Sequence, residues 1–354
     1  MKIRSLTEPS NKRAPAVTGA VLCLFLALGI TAGGVKDSTP DWDKPGGSTL
    51  IVSADEQTAP EPAEPEVQEE VPQETPATSA PESLRFIAYN VENWLTMDRY
   101  VDNKNLKDSP KPDSEKKAVV QLLSNAKPDV IGLCEIGEAA DLAEIQQALK
   151  TAGLDLPHSH YSGGADPIRH LGLLSRHPIT STAKPAEMEY QMDGKTFGFN
   201  RGVLDATIQA KGKSYRFLGV HLKSKREVEE GDQEQMRIHE ARLLRRHVDS
   251  ILKTNANARL IVYGDFNDTR PSKSHKTITG SYNDPSYLTA VPFKDSRGDA
   301  WTHHWAPHDI YSRIDFVTVT RALRREVDFK NSHIIDDASW SNASDHRALL
   351  TIFR

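Results

Sequence analysis

Six short apolar runs in this chain each meet a polar or charged side chain, and that repeated edge constrains the fold more than any other feature. Arg85-Phe86-Ile87-Ala88-Tyr89 stops at Asn90-Val91-Glu92-Asn93-Trp94, and Asp129-Val130-Ile131-Gly132-Leu133-Cys134 stops at Glu135. Tyr215-Arg216-Phe217-Leu218-Gly219-Val220 leads into His221-Leu222-Lys223-Ser224, and Ile261-Val262-Tyr263-Gly264 into Asp265-Phe266-Asn267-Asp268. Arg313-Ile314-Asp315-Phe316-Val317-Thr318-Val319 carries an acid within the run, and Ser344-Asp345-His346 stands just before a last run from Ala348 to Phe353. Such runs read as strands, the second of them fully buried. One acid or histidine at a strand end is ordinarily a solvated terminus or a cap, but six ends carrying this selection point to a shared chemical edge. Asp265 and Asn267, two residues apart, leave the same side of an extended segment, and Gly264 lets the chain turn out of the sheet.

Helical patterns lie between these runs. Ser114 can cap a helix with Ala118, Val119, Leu122 and Leu123 inward, and 138–151 places Leu142, Ile145 and Leu149 on one stripe before Gly153. Residues 232–253 do the same with Met236, Leu243, Leu244, Val248, Ile251 and Leu252. Strands with helices interspersed suit two facing sheets covered by helices, and about 270 residues suffice for one large core. Arg237, Arg242, Arg245 and Arg246 share the third helix and read as a solvated face.

The first 82 residues are of another kind. Lys2, Arg4, Lys12 and Arg13 precede an almost wholly apolar stretch from Ala14 to Ala32, which reads as an export signal or a signal anchor over 1–34. Residues 35–82 are rich in Pro, Glu, Ser, Thr and Ala and cannot bury enough apolar surface to offset ordering, so they read as an extended tether. This leader and tether hold 6 Lys+Arg against 13 Asp+Glu, so the chain totals of 44 and 49 leave 38 against 36 for residues 83–354. A near-neutral domain neither demands nor excludes a polyanion. With two cysteines, Cys23 in the leader and Cys134 beside Glu135, neither a structural disulfide nor a thiolate zinc site is expected.

In order, Tyr89-Asn90-Val91-Glu92-Asn93, Lys127 to Glu135, Leu171-Gly172-Leu173-Leu174-Ser175-Arg176, Val220-His221-Leu222-Lys223-Ser224, Gly264-Asp265-Phe266-Asn267-Asp268, Arg313-Ile314-Asp315-Phe316 and Ser344-Asp345-His346 form a series. The series resembles the endonuclease/exonuclease/phosphatase superfamily, the deoxyribonuclease-I-like metal-dependent phosphoesterases. The likeness runs from about residue 84 to the C-terminus and implies a four-layer α/β/β/α sandwich, two facing mixed β-sheets flanked by helices. Glu135, Asp345 and the pair Asn90/Glu92 are hard oxygen donors, suited to Mg²⁺, with Mn²⁺ or Ca²⁺ as alternatives, rather than to zinc. The resemblance makes Glu135 the principal metal ligand, has Asn90 place it, and sets Glu92 where some relatives carry an acid near the metal.

By the same resemblance His346 transfers a proton with Asp315 fixing its tautomer, Asp265 and Asn267 orient the attacking water, and a charged His221 meets the departing alkoxide. The roles of the two histidines are open to exchange. A histidine at 221 disfavours an abasic-site endonuclease, where relatives place asparagine. Asp268-Thr269-Arg270 departs from the Tyr-Arg of inositol-phosphate phosphatases. Arg201 corresponds to the arginine relatives hold near the scissile phosphate, and Lys223 is expected at the cleft rim. The cluster Trp301-Thr302-His303-His304-Trp305 with His308 and Tyr311 reads as a substrate-gripping loop rather than a metal site, since adjacent strand histidines point oppositely.

These features lead to an exported, monomeric, metal-dependent phosphodiesterase acting on DNA or RNA, with no protein partner and membrane contact only through an N-terminal anchor. The alternatives are a sphingomyelinase-like lipid phosphodiesterase and, in another class, a catalytically inactive binding module on a stalk.

Overall fold

The computed structural model describes residues 83–101 and 104–354, so the leader and tether expected over 1–34 and 35–82 lie outside the described residues. Twelve strands build two sheets: β1 (Leu84–Trp94), β2 (Val130–Ile136), β3 (His158–Ser162), β4 (His170–Ser175), β5 (Ile179–Ala183), β6 (Val203–Ala210), β7 (Lys213–His221), β8 (Leu260–Asp265), β9 (Thr289–Ala290), β10 (Asp315–Val319), β11 (His333–Ile334) and β12 (Leu349–Phe353). The first sheet runs β11-β12-β1-β2-β4-β3 and the second β9-β10-β8-β7-β6-β5. Each holds one parallel pair, β1 with β2 and β7 with β8, among antiparallel neighbours.

A parallel return needs a crossover, and a helix supplies it in both sheets. Helix α1 (Asp113–Ala126) links β1 to β2, α2 (Ala139–Thr151) follows β2, and α3 (Gln233–Thr254) links β7 to β8. Alternation along the strands sorts the side chains into layers. Phe86 and Ala88 of β1 join Ile261 and Tyr263 of β8 in the core between the sheets. Ile87 and Tyr89 turn outward onto Val119, Leu122 and Leu123 of α1 and Leu142, Ile145 and Leu149 of α2. On the far side Leu260 and Val262 meet Met236, Leu244 and Val248 of α3. The result is the α/β/β/α sandwich expected. Tyr263 packs against Gly132 and Gly219, where an added Cβ would come within 2.1 Å of its ring and 2.6 Å of its hydroxyl, so the sheets close tightly behind the site.

Two local expectations need correction. Helix α1 begins at Asp113 with Pro112 at its N-cap, ahead of the expected cap Ser114; the proline φ of −56° is already set for the turn, and Pro112 O accepts from Lys116 N at 2.9 Å. The α3 arginines are not one solvated face. Arg237 is buried against Asp268, and Arg245 bonds Ser286 O and Ile278 O, while Arg242 and Arg246 stay exposed. Cys134 is buried, its thiol 3.5 Å from Val220 O. No helix among the described residues is long and apolar enough to cross a membrane.

Candidate active site

Asn90, Glu135, His221 and Asp265 all stand at the carboxyl ends of the two parallel pairs, the place where open α/β sheets receive ligands. The strands break register there, between Asn90 and Trp94 and between Cys134 and Ile136. Glu92, Asn93, Glu135 and Asn267 have φ of 50°, 57°, 66° and 50°, a left-handed conformation that costs roughly 1–3 kcal/mol per residue and re-aims each side chain. Gly264 is required by its φ of +127° and by Val220 O, which an added Cβ would meet at 2.0 Å.

Asn90 is the hub. Its Nδ2 donates to Glu135 Oε1 at 3.1 Å and Asp265 Oδ2 at 3.2 Å, and lies 3.3 Å from His346 Nε2. Its Oδ1 accepts from Glu92 N at 3.0 Å, so the carboxamide as it stands turns its nitrogen toward Glu135 and positions that carboxylate rather than sharing an oxygen with it. His346 Nδ1 lies 2.8 Å from Asp315 Oδ2, the pairing expected from the resemblance. Ser344 Oγ donates to Asn90 O at 2.8 Å and accepts from His346 N at 3.0 Å, tying the last strand's lead-in to the first strand. Asp265 Oδ1 accepts from Asn267 N at 2.7 Å, a self-capped turn, while its Oδ2 lies 3.5 Å from His221 Nε2. Asn267 Nδ2 donates to Leu222 O at 3.0 Å.

The histidines differ in charge. Burial, reinforced by Arg201, His346, Arg169 and Lys223, holds His221 well below the usual histidine range. Burial also opposes charge on His346, but Asp315, Asp345 and Asp265 outweigh it and raise it well above that range. Of the two exchangeable assignments, the surroundings favour His346 as the protonated ring, because burial and nearby cations oppose charge on His221 even with Asp265 3.5 Å away, while carboxylates outweigh burial at His346. Burial and then Asp315 push Asp265 up to about 7. Burial and then Asp345 do the same to Glu92, also about 7.

Glu92, expected beside the metal, accepts from Asp345 N at 3.0 Å. Two groups bring possible ligand atoms within 4.8 Å of one another: Asp265, Asp315 and His346, and His303, Asp345 and His346. Glu135 belongs to neither, but its Oε1 lies 3.9 Å from His221 Nε2 and it shares Asn90 with Asp265. Carboxylates gathered here, two of them pushed up to about 7 by burial and then by a neighbouring acid, form a hard-oxygen set that fits a divalent cation, with Glu135 and the Glu92/Asp345 pair the residues to hold it. Alternation and the lack of a thiolate argue against His303 and His304 as a metal pair, but alternation leaves one of the two facing the site. His303 faces Asp345 at 3.6 Å and packs on His346, while His304 points away and stacks on Tyr311. These residues form a hairpin, His303–Trp305 with Ile310–Ser312, seated on the 344–346 segment and leaving Trp305, Ile310 and Tyr311 about half exposed.

Arg201 and Lys223 are buried at 7% exposure, so Lys223 is not the rim residue expected. The reason is Glu240, which the sequence reading missed. It is fully buried on α3, and its two oxygens accept from Asn200 N at 2.8 Å and Lys223 N at 2.6 Å, drawing both loops inward. Burial raises its carboxyl to about 7 against those two bonds. Arg237 grips the same loop from the other side, donating to Lys223 O at 3.1 Å. Their only sequence signal is an Arg and a Glu one helical turn apart, which is commonplace on exposed helices. A cavity of about 1160 Å³ opens at the opposite strand ends beside Arg85, Asp328 and Arg354 and contains none of these residues.

Residues 86–288 match the sequence profile of the Endonuclease/Exonuclease/phosphatase family. No curated protein sequence matches the chain. Among solved structures it is similar to an endonuclease/exonuclease/phosphatase from Bacteroides vulgatus (18% identity, TM-score 0.54, 77% of this chain and 99% of that one). It is similar also to the human Nocturnin catalytic domain with bound sulfate (16%, 0.54, 77% and 94%). A third is sphingomyelinase C from Streptomyces griseocarneus (14%, 0.53, 77% and 100%).

Proposed function

The chain belongs to the endonuclease/exonuclease/phosphatase family, and from that premise we propose that it is an exported phosphodiesterase, dependent on a divalent ion such as Mg²⁺, that hydrolyses nucleic acid. The observation that carries this reading is the convergence of Asn90, Glu135, His221, Asp265 and the Asp315–His346 pair on one cleft. A divalent ion held by Glu135 would polarise a phosphoryl oxygen. Asp265, kept in place by Asn90 and the Asn267 turn, orients water for attack on phosphorus. As the new P–O bond forms, the water's proton passes to the Asp265–His221 pair, whose nearest atoms are 3.5 Å apart. As the P–O bond to the leaving group breaks, His346, cationic and oriented by Asp315, gives a proton to the departing oxygen. Arg201 neutralises a non-bridging oxygen.

The domain acts as a monomer in this reading, carried outside the cytoplasm by residues 1–34 on a tether over 35–82. A second reading, a lipid phosphodiesterase, draws on the half-exposed Trp305, Ile310 and Tyr311 of the hairpin beside His303, an apolar tip suited to a membrane surface. The test is a panel of plasmid DNA, RNA, sphingomyelin, inositol phosphates and a chromogenic diester, run on residues 83–354 and on His346→Ala. Turnover of DNA or RNA that vanishes in the variant supports the proposal. Turnover of sphingomyelin alone replaces it with the lipid reading, and no turnover of any member leaves the inactive binding module. A reporter fused after Glu82 that is active only in the cytoplasm would refute export.

A further inference from the structure

One cation beside the site has entered so far only as a neighbour that opposes charge on His221. Arg169 lies in the loop between β3 and β4, its side chain 23% exposed, with Nε 4.0 Å from Glu135 Oε2. Nε donates to Asn93 Oδ1 at 2.8 Å, and Asn93 N donates to Glu135 Oε2 at 2.9 Å. The guanidinium is thus anchored through Nε alone, and neither terminal nitrogen has a hydrogen-bond partner among the described residues.

Its backbone is fixed by Asp166, whose Oδ1 accepts from Ile168 N at 2.9 Å and Arg169 N at 3.3 Å. The other oxygen of Asp166 lies 3.1 Å from Arg201 Nε. One carboxylate therefore ties the backbone of Arg169 to the Nε edge of Arg201 by an ion pair, while Asn93 holds the Arg169 guanidinium. Arg201 is 7% exposed, and its Nε and Nη1 are both buried with no hydrogen-bond partner among the described residues, so the guanidinium keeps unspent donors beside the site. The loops that carry the two arginines are zipped together by Ala165 N to Phe199 O at 3.0 Å and Asp166 N to Asn200 O at 2.6 Å. That approach is close enough that a Cβ on Gly164 would meet Phe199 O at 2.2 Å. Glu240 anchors the same 199–201 loop from behind. The backbone that spaces the two arginines is already set, and what a phosphate must open is access to the buried Arg201 guanidinium.

A guanidinium with both terminal nitrogens unspent is the donor geometry that grips a phosphate in two places. Fixed donors lose little on binding, because no loop or side chain remains to be ordered. We propose that Arg169 and Arg201 form a two-phosphate clamp, Arg201 on the phosphodiester to be cleaved and Arg169 on a neighbouring phosphate, so that the enzyme selects substrates bearing a second phosphate beside the reacting one. An oligonucleotide meets that requirement, whereas a lipid phosphodiester with a single phosphate does not. The inference rests on the nucleic-acid reading above and narrows it.

The test compares a thymidine dinucleotide bearing hydroxyls at both ends with the same dinucleotide phosphorylated at its 5′ or its 3′ end. The wild-type domain is expected to show kcat/KM roughly tenfold or more higher for one of the phosphorylated forms, from one charge-assisted bidentate contact. In Arg169→Ala that ratio should collapse to about one, with Arg169→Lys intermediate because it keeps the charge and loses the fork. A thermal melt matching wild type shows that the variant is folded. If Arg169→Ala depresses all three substrates by the same factor, Arg169 serves only to brace Asn93 and Glu135, and the clamp is overturned while the nuclease reading stands. A wild-type ratio near one also overturns it. Turnover of a chromogenic diester with no hydrolysis of any dinucleotide removes the nuclease reading and the clamp with it.

Discussion

Replacing Asp315 by Asn removes a charge and almost nothing else. Asp315 Oδ2 lies 2.8 Å from His346 Nδ1, and both residues are buried. The backbone will not shift, because Thr302 Oγ1 accepts from Ile314 N at 3.1 Å and Asp315 N at 3.0 Å. At an effective dielectric of about 20, unit charges at that separation attract by roughly 6 kcal/mol, the ceiling on what the carboxylate contributes to the imidazolium. Asparagine keeps a neutral hydrogen bond of about 1 kcal/mol. Asp265 and Asp345, each 3.8 Å from Nε2, still favour the cation. About 3–4 kcal/mol of transition-state stabilisation then disappears, a fall in kcat of roughly a hundred- to a thousandfold. KM should change less than about threefold, since the carboxylate supports the ring rather than the substrate. The sign of the pH effect follows from the direction of the shift. His346 acts protonated and its value is raised, so wild-type activity persists above the usual histidine range and falls as pH rises through that raised value. In Asp315→Asn the alkaline limb should move to lower pH. Steady-state kinetics on a chromogenic diester from pH 5 to 10 measures both effects. A loss in kcat under about threefold, or an alkaline limb that does not move, refutes the assignment of His346 as the cationic proton donor.

Three further outcomes follow from the crowded carboxylates and the tight turn. Glu92, raised to about 7, holds a proton in the folded domain that the unfolded chain releases at lower pH, so its contribution to stability is lost as pH rises through about 7. Without metal, Glu92→Gln should therefore raise the melting temperature at pH 8 and leave it unchanged at pH 5; equal shifts at both would show that Glu92 is not under charge strain. Saturating Mg²⁺ should raise the wild-type melting temperature by about 5 °C at pH 8 and by less at pH 6, where protons compete, and chelator should reverse the gain. Gly264→Ala must place a Cβ 2.0 Å from Val220 O at a φ of +127°, and should destabilise by about 3 kcal/mol or more in chemical denaturation. Gly212→Ala, with a φ of +71° and open space around it, should cost only about 1 kcal/mol, and equal losses at the two positions would remove the steric argument.

Much of this protein is legible in local sequence. The apolar runs that lead to Asn90, Glu135, His221 and Asp265 are strands, two ending at His221 and Asp265 and two losing regular register at or just past Asn90 and Glu135, because burial and a period of two are properties of consecutive residues. Helices α2 and α3 begin within one residue of the expected starts at 138 and 232, with Glu138 and Asp232 as their N-caps, for the same reason. The order of the polar ends was enough to identify the family and with it the four layers. What sequence could not carry is whatever depends on neighbours brought from far along the chain. His346 meets Asp315 from 31 positions away and Asn90 from 256. Arg237 looked like part of a solvated face until Asp268 and the carbonyl of Lys223 were placed beside it, and Glu240 had no role until two loops closed over its carboxylate. The contrast between the histidines has the same origin. The two side chains are chemically identical, and only the assembled surroundings, burial with arginines and a lysine about His221 and carboxylates about His346, favour the neutral ring at one and the cation at the other.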